Sequence, residues 1–180
     1  MKNTLYFILS LFICGGMSAQ ETNRPQKQYV TLESEHRENS IDPLQATLYE
    51  LIDQRHAVQQ CHWNVEGPLF YSLHDMLGHF YEDLDAIIDV VAERQLVLGS
   101  AADGRPAMAG ENTDLPEVPA GKIDGMEAVN LLVKRTKMIS NALYKRIETT
   151  GAHDPVSQDL LIDVAAMIDM QLWKLRSFQQ

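Results

Sequence analysis

The sequence predicts an all-α protein built as a single four-helix bundle, and three observations lead to that prediction. Apolar residues recur at spacings of three and four through four segments, which is the pattern of helices that bury one face. No segment alternates apolar and polar residues for long enough to form a strand. The chain of 180 residues is 45% hydrophobic and 22% charged, which suits one globular domain with its own core.

The first twenty residues differ from the rest of the chain and predict a secretory signal peptide over residues 1–20. Lys2 gives a short basic start, an apolar run extends from Leu5 to Ile13, and small residues end the segment at Ala19. The apolar run is about half of the roughly 20 residues that a membrane-spanning helix needs, so an uncleaved anchor is the less favoured alternative. We therefore expect an exported protein, located in the periplasm, without stable membrane insertion.

The remaining chain is strongly acidic. Residues 21–40 are polar and aperiodic, and we expect them to form an N-terminal tail ahead of a helical domain over residues 41–180. Without residues 1–20 the chain keeps 14 basic and 25 acidic residues, a net charge of −11. Such a surface repels DNA unless its basic residues cluster, and they do not. DNA binding is therefore not expected, whereas the charge suits cations.

Capping residues mark the ends of the four predicted helices. Two predicted helices begin with an aspartate as the N-cap residue and a proline at the first helical position. These pairs are Asp42 with Pro43 and Asp154 with Pro155. Asp124, three residues before a glutamate, has the spacing of a capping box. The helices are predicted over about residues 43–65, 69–98, 126–149 and 155–178, and glycines follow the first three of them at Gly67, Gly99 and Gly151.

The apolar residues of the four helices predict one shared core, because each set falls on one face of its helix. Arg55 interrupts the set in helix one. In chain order the core positions are Leu44, Leu48, Leu51, Val58, Val65, Leu73, Leu77, Phe80, Leu84, Ile87, Val91, Leu98, Val129, Leu132, Ile139, Leu143, Ile147, Leu160, Val164, Met167, Leu172, Leu175 and Phe178.

The connection between helices two and three, residues 100–124, is rich in Gly, Pro and Ala and is longer than a hairpin between neighbouring helices needs. Its length favours a crossover connection, as in ferritin-like bundles. The predicted fold class is therefore an all-α, ferritin-like four-helix bundle with a long crossover connection between helices two and three.

Polar residues interrupt the apolar faces in a pattern that suggests a metal site. His62 continues the inward face of helix one, at spacings of four and three from the flanking valines. Taken alone, an inward histidine is usually a hydrogen-bonded core residue, and carboxylates one turn apart usually form a solvated face. In combination, imidazole and carboxylate suit iron or zinc better than calcium or magnesium. Helix two carries the other members of the set in one row: His74, Gly78, Asp85, Asp89 and Glu93.

Spacing along helix two divides these residues into two half-sites. Asp89 and Glu93 can share an ion, whereas His74 and Asp89 lie about 22 Å apart at the helical rise per residue. His62 falls at the His74 end. A two-fold partner whose helix two runs antiparallel would bring the imidazoles of one chain to the carboxylates of the other. Alternatively, carboxylates of helices three and four complete a half-site within one chain; the candidates are Glu127, Asp159 and Asp163.

Three motifs resemble those of the Dps family, the miniature ferritins that protect DNA in starved cells. They are HWNVEGP at residues 62–68, LHDML at residues 73–77 with its histidine, and DVVAER at residues 89–94. The resemblance covers about residues 40–180, including QLWKLRSF near the end. It implies a ferritin-like subunit with a short extra helix in the long connection, assembled into a hollow homododecamer.

The resemblance also implies an activity. It implies di-iron ferroxidase sites at two-fold interfaces, which oxidise Fe(II) with hydrogen peroxide by preference, or with O2. The ferric product is stored in the cavity, which protects against oxidative stress, and zinc is the alternative metal. Carried over position by position, His62 and His74 correspond to the two histidine ligands. Asp89 and Glu93 correspond to the carboxylates of the neighbouring subunit, and Trp63 to the aromatic residue beside the centre.

The chain departs from the family pattern at three points. Gly78 stands where an Asp ligand is common, so we expect one firm iron site and a second that is weak and rich in water. Residues 21–40 lack the lysine-rich tail of DNA-binding members, and most members have no export signal. Two alternatives stay open, a metal-binding cage with little catalytic turnover and a DNA-binding member of the family.

Overall fold

The computed structural model describes residues 29–180, and over this range the chain forms an all-α bundle, as predicted. The helices are α1 (Ser34–Asn64), α2 (Phe70–Val97), α3 (Pro106–Glu111), α4 (Gly125–Gly151) and α5 (Pro155–Arg176). Predicted helices three and four are α4 and α5. The expected signal peptide and residues 21–28 of the expected tail lie outside the described residues. None of the helices in residues 29–180 combines the length and the apolar character that a membrane span requires.

The predicted start of helix one is wrong, because α1 begins at Ser34 and Pro43 lies inside it. A proline within a helix removes one backbone hydrogen bond, and here tertiary contacts outweigh that loss. Arg37 is buried and donates through Nη1 to the carbonyl of Leu98, 3.3 Å away at the far end of α2. Ser40 is also buried. The last residues of the expected tail are therefore part of the bundle.

Local capping signals were read correctly at two other helix starts. The Asp124 carboxylate accepts hydrogen bonds from two amides in the first turn of α4, and Asp154 accepts one in the first turn of α5. Gly67 and Gly99 have φ of +91° and +93°, which only glycine adopts without strain, and they follow α1 and α2. Gly151 differs, because it is still the last residue of α4.

The expectation of no strand is wrong at one place, where two short strands pair. These are β1 (Val65–Glu66) and β2 (Ile123–Asp124), parallel and in register Val65 with Ile123. They join the end of α1 to the start of α4. The connection after α2 therefore has to return along the bundle, and α3 packs on α1 on the way. This is the predicted crossover.

The predicted core positions are all buried or half-buried. Sequence reasoning missed a polar cluster inside this core. Arg135 is 1% exposed, forms an ion pair with Asp53 at 2.9 Å and donates through Nε to Gln54. Gln54 in turn donates to Thr136. The ion pair gives the buried guanidinium a counter-charge, and the hydrogen bonds tie α1 to α4.

Candidate metal centre

The two predicted imidazoles lie together where α1 ends and α2 begins. The hairpin at Gly67 folds the chain back so that the rings of His62 and His74 stack, with centroids 3.8 Å apart and planes at 19°. Nδ1 of His62 lies 2.7 Å from the backbone oxygen of His74, and Nδ1 of His74 lies 2.9 Å from that of His62.

These reciprocal hydrogen bonds decide which ring nitrogen can bind a metal. A carbonyl oxygen only accepts, so Nδ1 of each ring must carry the proton. In a neutral imidazole the other nitrogen, Nε2, then holds a free lone pair. A backbone carbonyl holding Nδ1–H is a common arrangement behind histidine ligands. His62 and His74 are therefore both prepared to coordinate through Nε2.

Two aromatic residues hold the imidazoles in place, and sequence reasoning missed both. Phe70 stacks on His74 with centroids 5.1 Å apart. Tyr81 meets His62 edge to face, with centroids 5.4 Å apart. Tyr81 follows His74 by seven residues and so lies in the same row of α2, a signal that was present in the spacing.

Trp63, expected beside the centre, is 60% exposed in the single subunit. Among residues 29–180 it forms no ring contact with either imidazole. Its indole lies on the surface of the hairpin that carries the histidines. A role beside the metal therefore stays a prediction for the assembled protein.

The two predicted carboxylates lie far from the imidazoles along α2. Asp89 and Glu93 are exposed, one turn apart, and form no hydrogen bond or ion pair within the described chain. No three His, Cys, Asp or Glu side chains converge anywhere in residues 29–180. The structure thus does not show the in-chain alternative, and its three carboxylates are all exposed: Glu127, Asp159 and Asp163.

Asp85, one turn before Asp89 in the same row, is already neutralised. Arg55 donates to both of its carboxylate oxygens, at 2.8 and 3.1 Å, and its guanidinium lies 5.5 Å from the centroid of Tyr81. This pairing explains why Arg55 interrupts the apolar face of α1. It also sets Asp85 apart from Asp89 and Glu93, which have no ion-pair partner within the part of the chain that the structure describes.

Gly78 leaves an open notch beside the imidazole of His62. A Cβ atom at this position would lie 3.4 Å from Cε1 and 3.7 Å from Nδ1 of His62, which is ordinary contact. His79 does not compensate, because its ring is exposed and its Nδ1 is bonded to the Asp75 carbonyl at 2.9 Å. The row of α2 therefore has no side chain at the position facing the ring.

Cys61, next to His62, is buried and free. Burial raises the pKa of its thiol to about 11, more than the nearby Arg135 lowers it. The protonated thiol is a poor nucleophile. We therefore assign it a packing role beside the centre.

Known proteins share this architecture. Residues 41–180 match the ferritin family as a ferritin-like domain. The chain is 33% identical over 173 residues to DNA protection during starvation protein 2 of Deinococcus radiodurans, covering 92% of this chain and 72% of that protein. It resembles the crystal structure of Dps92 from Deinococcus radiodurans with a TM-score of 0.79 and 34% identity, over 81% of this chain and 88% of that one. Dps from Microbacterium arborescens in the high iron form gives a TM-score of 0.79 and 25% identity, over 83% and 98%.

Proposed function

This chain belongs to the Dps family of ferritin-like proteins, and we propose from its two half-sites that it is a ferroxidase and an iron-storage cage. It oxidises Fe(II) with hydrogen peroxide, or with O2, and sequesters the ferric product, which protects against oxidative stress. The observation that carries the proposal is the pair of stacked imidazoles with free Nε2 atoms at one end of α2, matched by two uncompensated carboxylates at the other.

The two halves meet when two subunits pack with antiparallel α2 helices, as units of a homododecamer. His74 and Asp89 lie about 22 Å apart along the helix, which is too far for one ion and suits a shared interface. Apolar side chains around the half-sites are exposed in the single subunit, as expected of surfaces that become buried on assembly. They are Trp63, Phe70, Val90, Leu96 and Val97.

His62 holds the first Fe(II) through Nε2, together with the partner's Asp89 and the partner's Glu93. The two carboxylates offset the charge of the ion and favour Fe(III) as it forms, since the added positive charge strengthens their attraction. His74 and the partner's Glu93 hold a second iron, with water in place of the ligand that Gly78 does not supply.

The electron balance needs one peroxide for two iron ions. Each Fe(II) gives one electron, the O–O bond of hydrogen peroxide breaks, and two water molecules complete the products as two FeO(OH) units and four protons. The ferric product leaves the site for the cavity. Iron is thus the substrate and the cargo of the protein.

Mixing anaerobic assembled protein with Fe(II) and then hydrogen peroxide tests the proposal. We expect near-ultraviolet absorbance of Fe(III) to rise much faster than in protein-free buffer, with two iron ions oxidised per peroxide. Iron that binds but oxidises no faster than in buffer would instead establish the alternative, a metal-binding cage with little turnover.

Gly78→Asp should raise occupancy of the second site and speed iron oxidation at low Fe(II). The new Cβ would lie in ordinary contact with the imidazole of His62, and the carboxylate would supply the ligand that the second iron lacks. Replacing glycine inside a helix costs no stability. Metal titration by calorimetry reports the occupancy. Gly78→Ala is the matched control, because it fills the notch without adding a ligand. A Gly78→Asp variant that behaves like Gly78→Ala would show that position 78 does not face the metal.

We propose further that the protein is exported and does not bind DNA. The apolar run of residues 5–13 and the net charge of −11 after residue 20 support these two statements. N-terminal sequencing of native material should begin near residue 20, and intact Met1 would contradict export. A gel shift at low salt should show free DNA, and a retarded band would favour the DNA-binding alternative.

A further inference from the structure

Four of the six histidines of the chain bond through Nδ1 to a backbone carbonyl, and the two that show no such bond in residues 29–180, His36 and His153, lie beside each other. His36 and His153 have ring centroids 5.7 Å apart, with planes tilted by 31°. Both are half-buried, and no nitrogen of either ring is hydrogen-bonded to another group in residues 29–180. Their nitrogen lone pairs are therefore uncommitted among the described residues.

Ordered backbone holds both rings. His153 lies in the turn between α4 and α5, where its amide donates to the carbonyl of Thr150 at 3.1 Å. His36 lies in the first turns of α1, before Pro43, and its neighbour Arg37 anchors this segment to Leu98. Arg37 points about 100° around the helix from His36, so its charge is directed elsewhere.

The spacing of the rings suits one metal ion between them. A tetrahedral zinc ion with Zn–N bonds near 2 Å places the centroids of two imidazole ligands about 5 Å apart. The observed centroid separation of 5.7 Å is within 1 Å of that value. We propose that His36 and His153 form a site for a borderline divalent transition metal ion such as zinc, separate from the iron centre.

The ligand set decides the class of metal. Two imidazoles and no carboxylate favour zinc, cobalt, nickel or copper over calcium and magnesium. Asp154, next to His153, is not a ligand, because Arg94 and Ser157 occupy both of its oxygens. No third His, Cys, Asp or Glu joins the pair in the described residues, so water fills the other coordination positions.

A bound ion would clamp the start of α1 to the α4–α5 turn. This segment precedes Pro43, where α1 lacks one backbone hydrogen bond, and Arg37 is its main polar anchor. Metal that binds only the folded state stabilises it by mass action. The site therefore acts on the stability of the N-terminal end of the bundle and does not rest on the proposed ferroxidase activity.

Zinc binding to the assembled full chain tests the site, by equilibrium dialysis at one fixed free zinc concentration. His36→Ala and His153→Ala should each bind one zinc ion per subunit fewer than the wild type. His56→Ala is the matched control, since its ring is already bonded to the Ile52 carbonyl, and it should bind as the wild type does. All four proteins retain the half-sites on α2, so zinc bound there cancels in the comparison.

Equal zinc counts in the four proteins would overturn the proposal. If a variant fails to assemble, a wild-type crystal soaked in zinc and measured at the zinc edge decides the question. An anomalous peak between the rings of His36 and His153 supports the site, and no peak there overturns it. Either outcome leaves the ferroxidase proposal untouched, because that proposal is tested with iron and peroxide.

Discussion

Glu93→Ala should lower the rate of Fe(II) oxidation by about 100-fold or more, since even residues behind a metal ligand typically contribute 10- to 100-fold. The variant loses the carboxylate that we assign to both irons. It should fold and assemble as the wild type does, because Glu93 is exposed and has no partner within the described subunit. Alanine at this position opens no cavity and favours the helix.

Stopped-flow absorbance after mixing with peroxide measures the rate, and size-exclusion chromatography checks assembly. Glu148→Ala is the matched control, because Glu148 is also an exposed helical glutamate, on α4. His62→Ala should weaken the first iron and also cost some stability, since the imidazole packs against Tyr81. Unchanged initial rates in Glu93→Ala and His62→Ala would place the metal chemistry elsewhere.

Arg94→Met should destabilise the fold by about 3 kcal/mol at neutral pH, the order expected when one partner of a buried ion pair is removed. Arg94 follows Glu93 in the chain but faces inward, where Nη2 donates to both oxygens of Asp154 at 2.9 and 3.0 Å. Its Nε donates to Ser157 at 2.8 Å. Asp154 is 1% exposed, so the variant would leave its charge buried without a cation.

Acidic pH should reduce the difference in the free energy of unfolding between the wild type and Arg94→Met. Burial alone would raise the pKa of Asp154, but hydrogen bonds from Ser157 and the charge and hydrogen bonds of Arg94 outweigh burial and lower it. A carboxyl whose pKa is lower in the folded state adds stability above its unfolded pKa of about 3.9, and this is lost as pH falls through the folded value. The difference in the free energy of unfolding between the wild type and Arg94→Met should thus be largest at neutral pH and decrease below about pH 4.

Urea unfolding at neutral and acidic pH measures both effects. Arg105→Met is the matched control, because Arg105 pairs with Asp103 at 2.6 Å on the surface, where its side chain is 72% exposed. Surface pairs contribute little, so this variant should unfold close to the wild type. A destabilisation of Arg94→Met relative to the wild type that increases at acidic pH would contradict the role given to Asp154.

Local signals in the sequence predicted most of the fold. Asp124 and Asp154 cap their helices as expected, because an N-cap acts within one turn of its own chain. The start of α1 was missed because Pro43 is an equally local signal, and it is overruled by a contact between Arg37 and Leu98, 61 residues apart. A contact with Leu98 cannot be predicted from the local sequence around the start of α1.

The sequence predicted which residues form the candidate site but not the contacts between them. Spacing singled out His62 and His74, yet the exchange of hydrogen bonds between them depends on how the hairpin closes. Tyr81 was overlooked, and Arg55 was noted only as an interruption until its ion pair with Asp85 appeared. The proposed contact of Asp89 and Glu93 with the histidines lies between two subunits. Neither the sequence nor a single subunit therefore contains it.

A crystal of the assembled protein, soaked anaerobically in Fe(II) and measured at the iron edge, tests the shared site most directly. We predict a strong anomalous peak at bonding distance from Nε2 of His62, with the partner's Asp89 and the partner's Glu93 as the other ligands. A weaker peak should lie at bonding distance from Nε2 of His74. Iron bound by the side chains of one subunit alone, or two equal peaks with His79 or Asp75 as a ligand, would contradict this account.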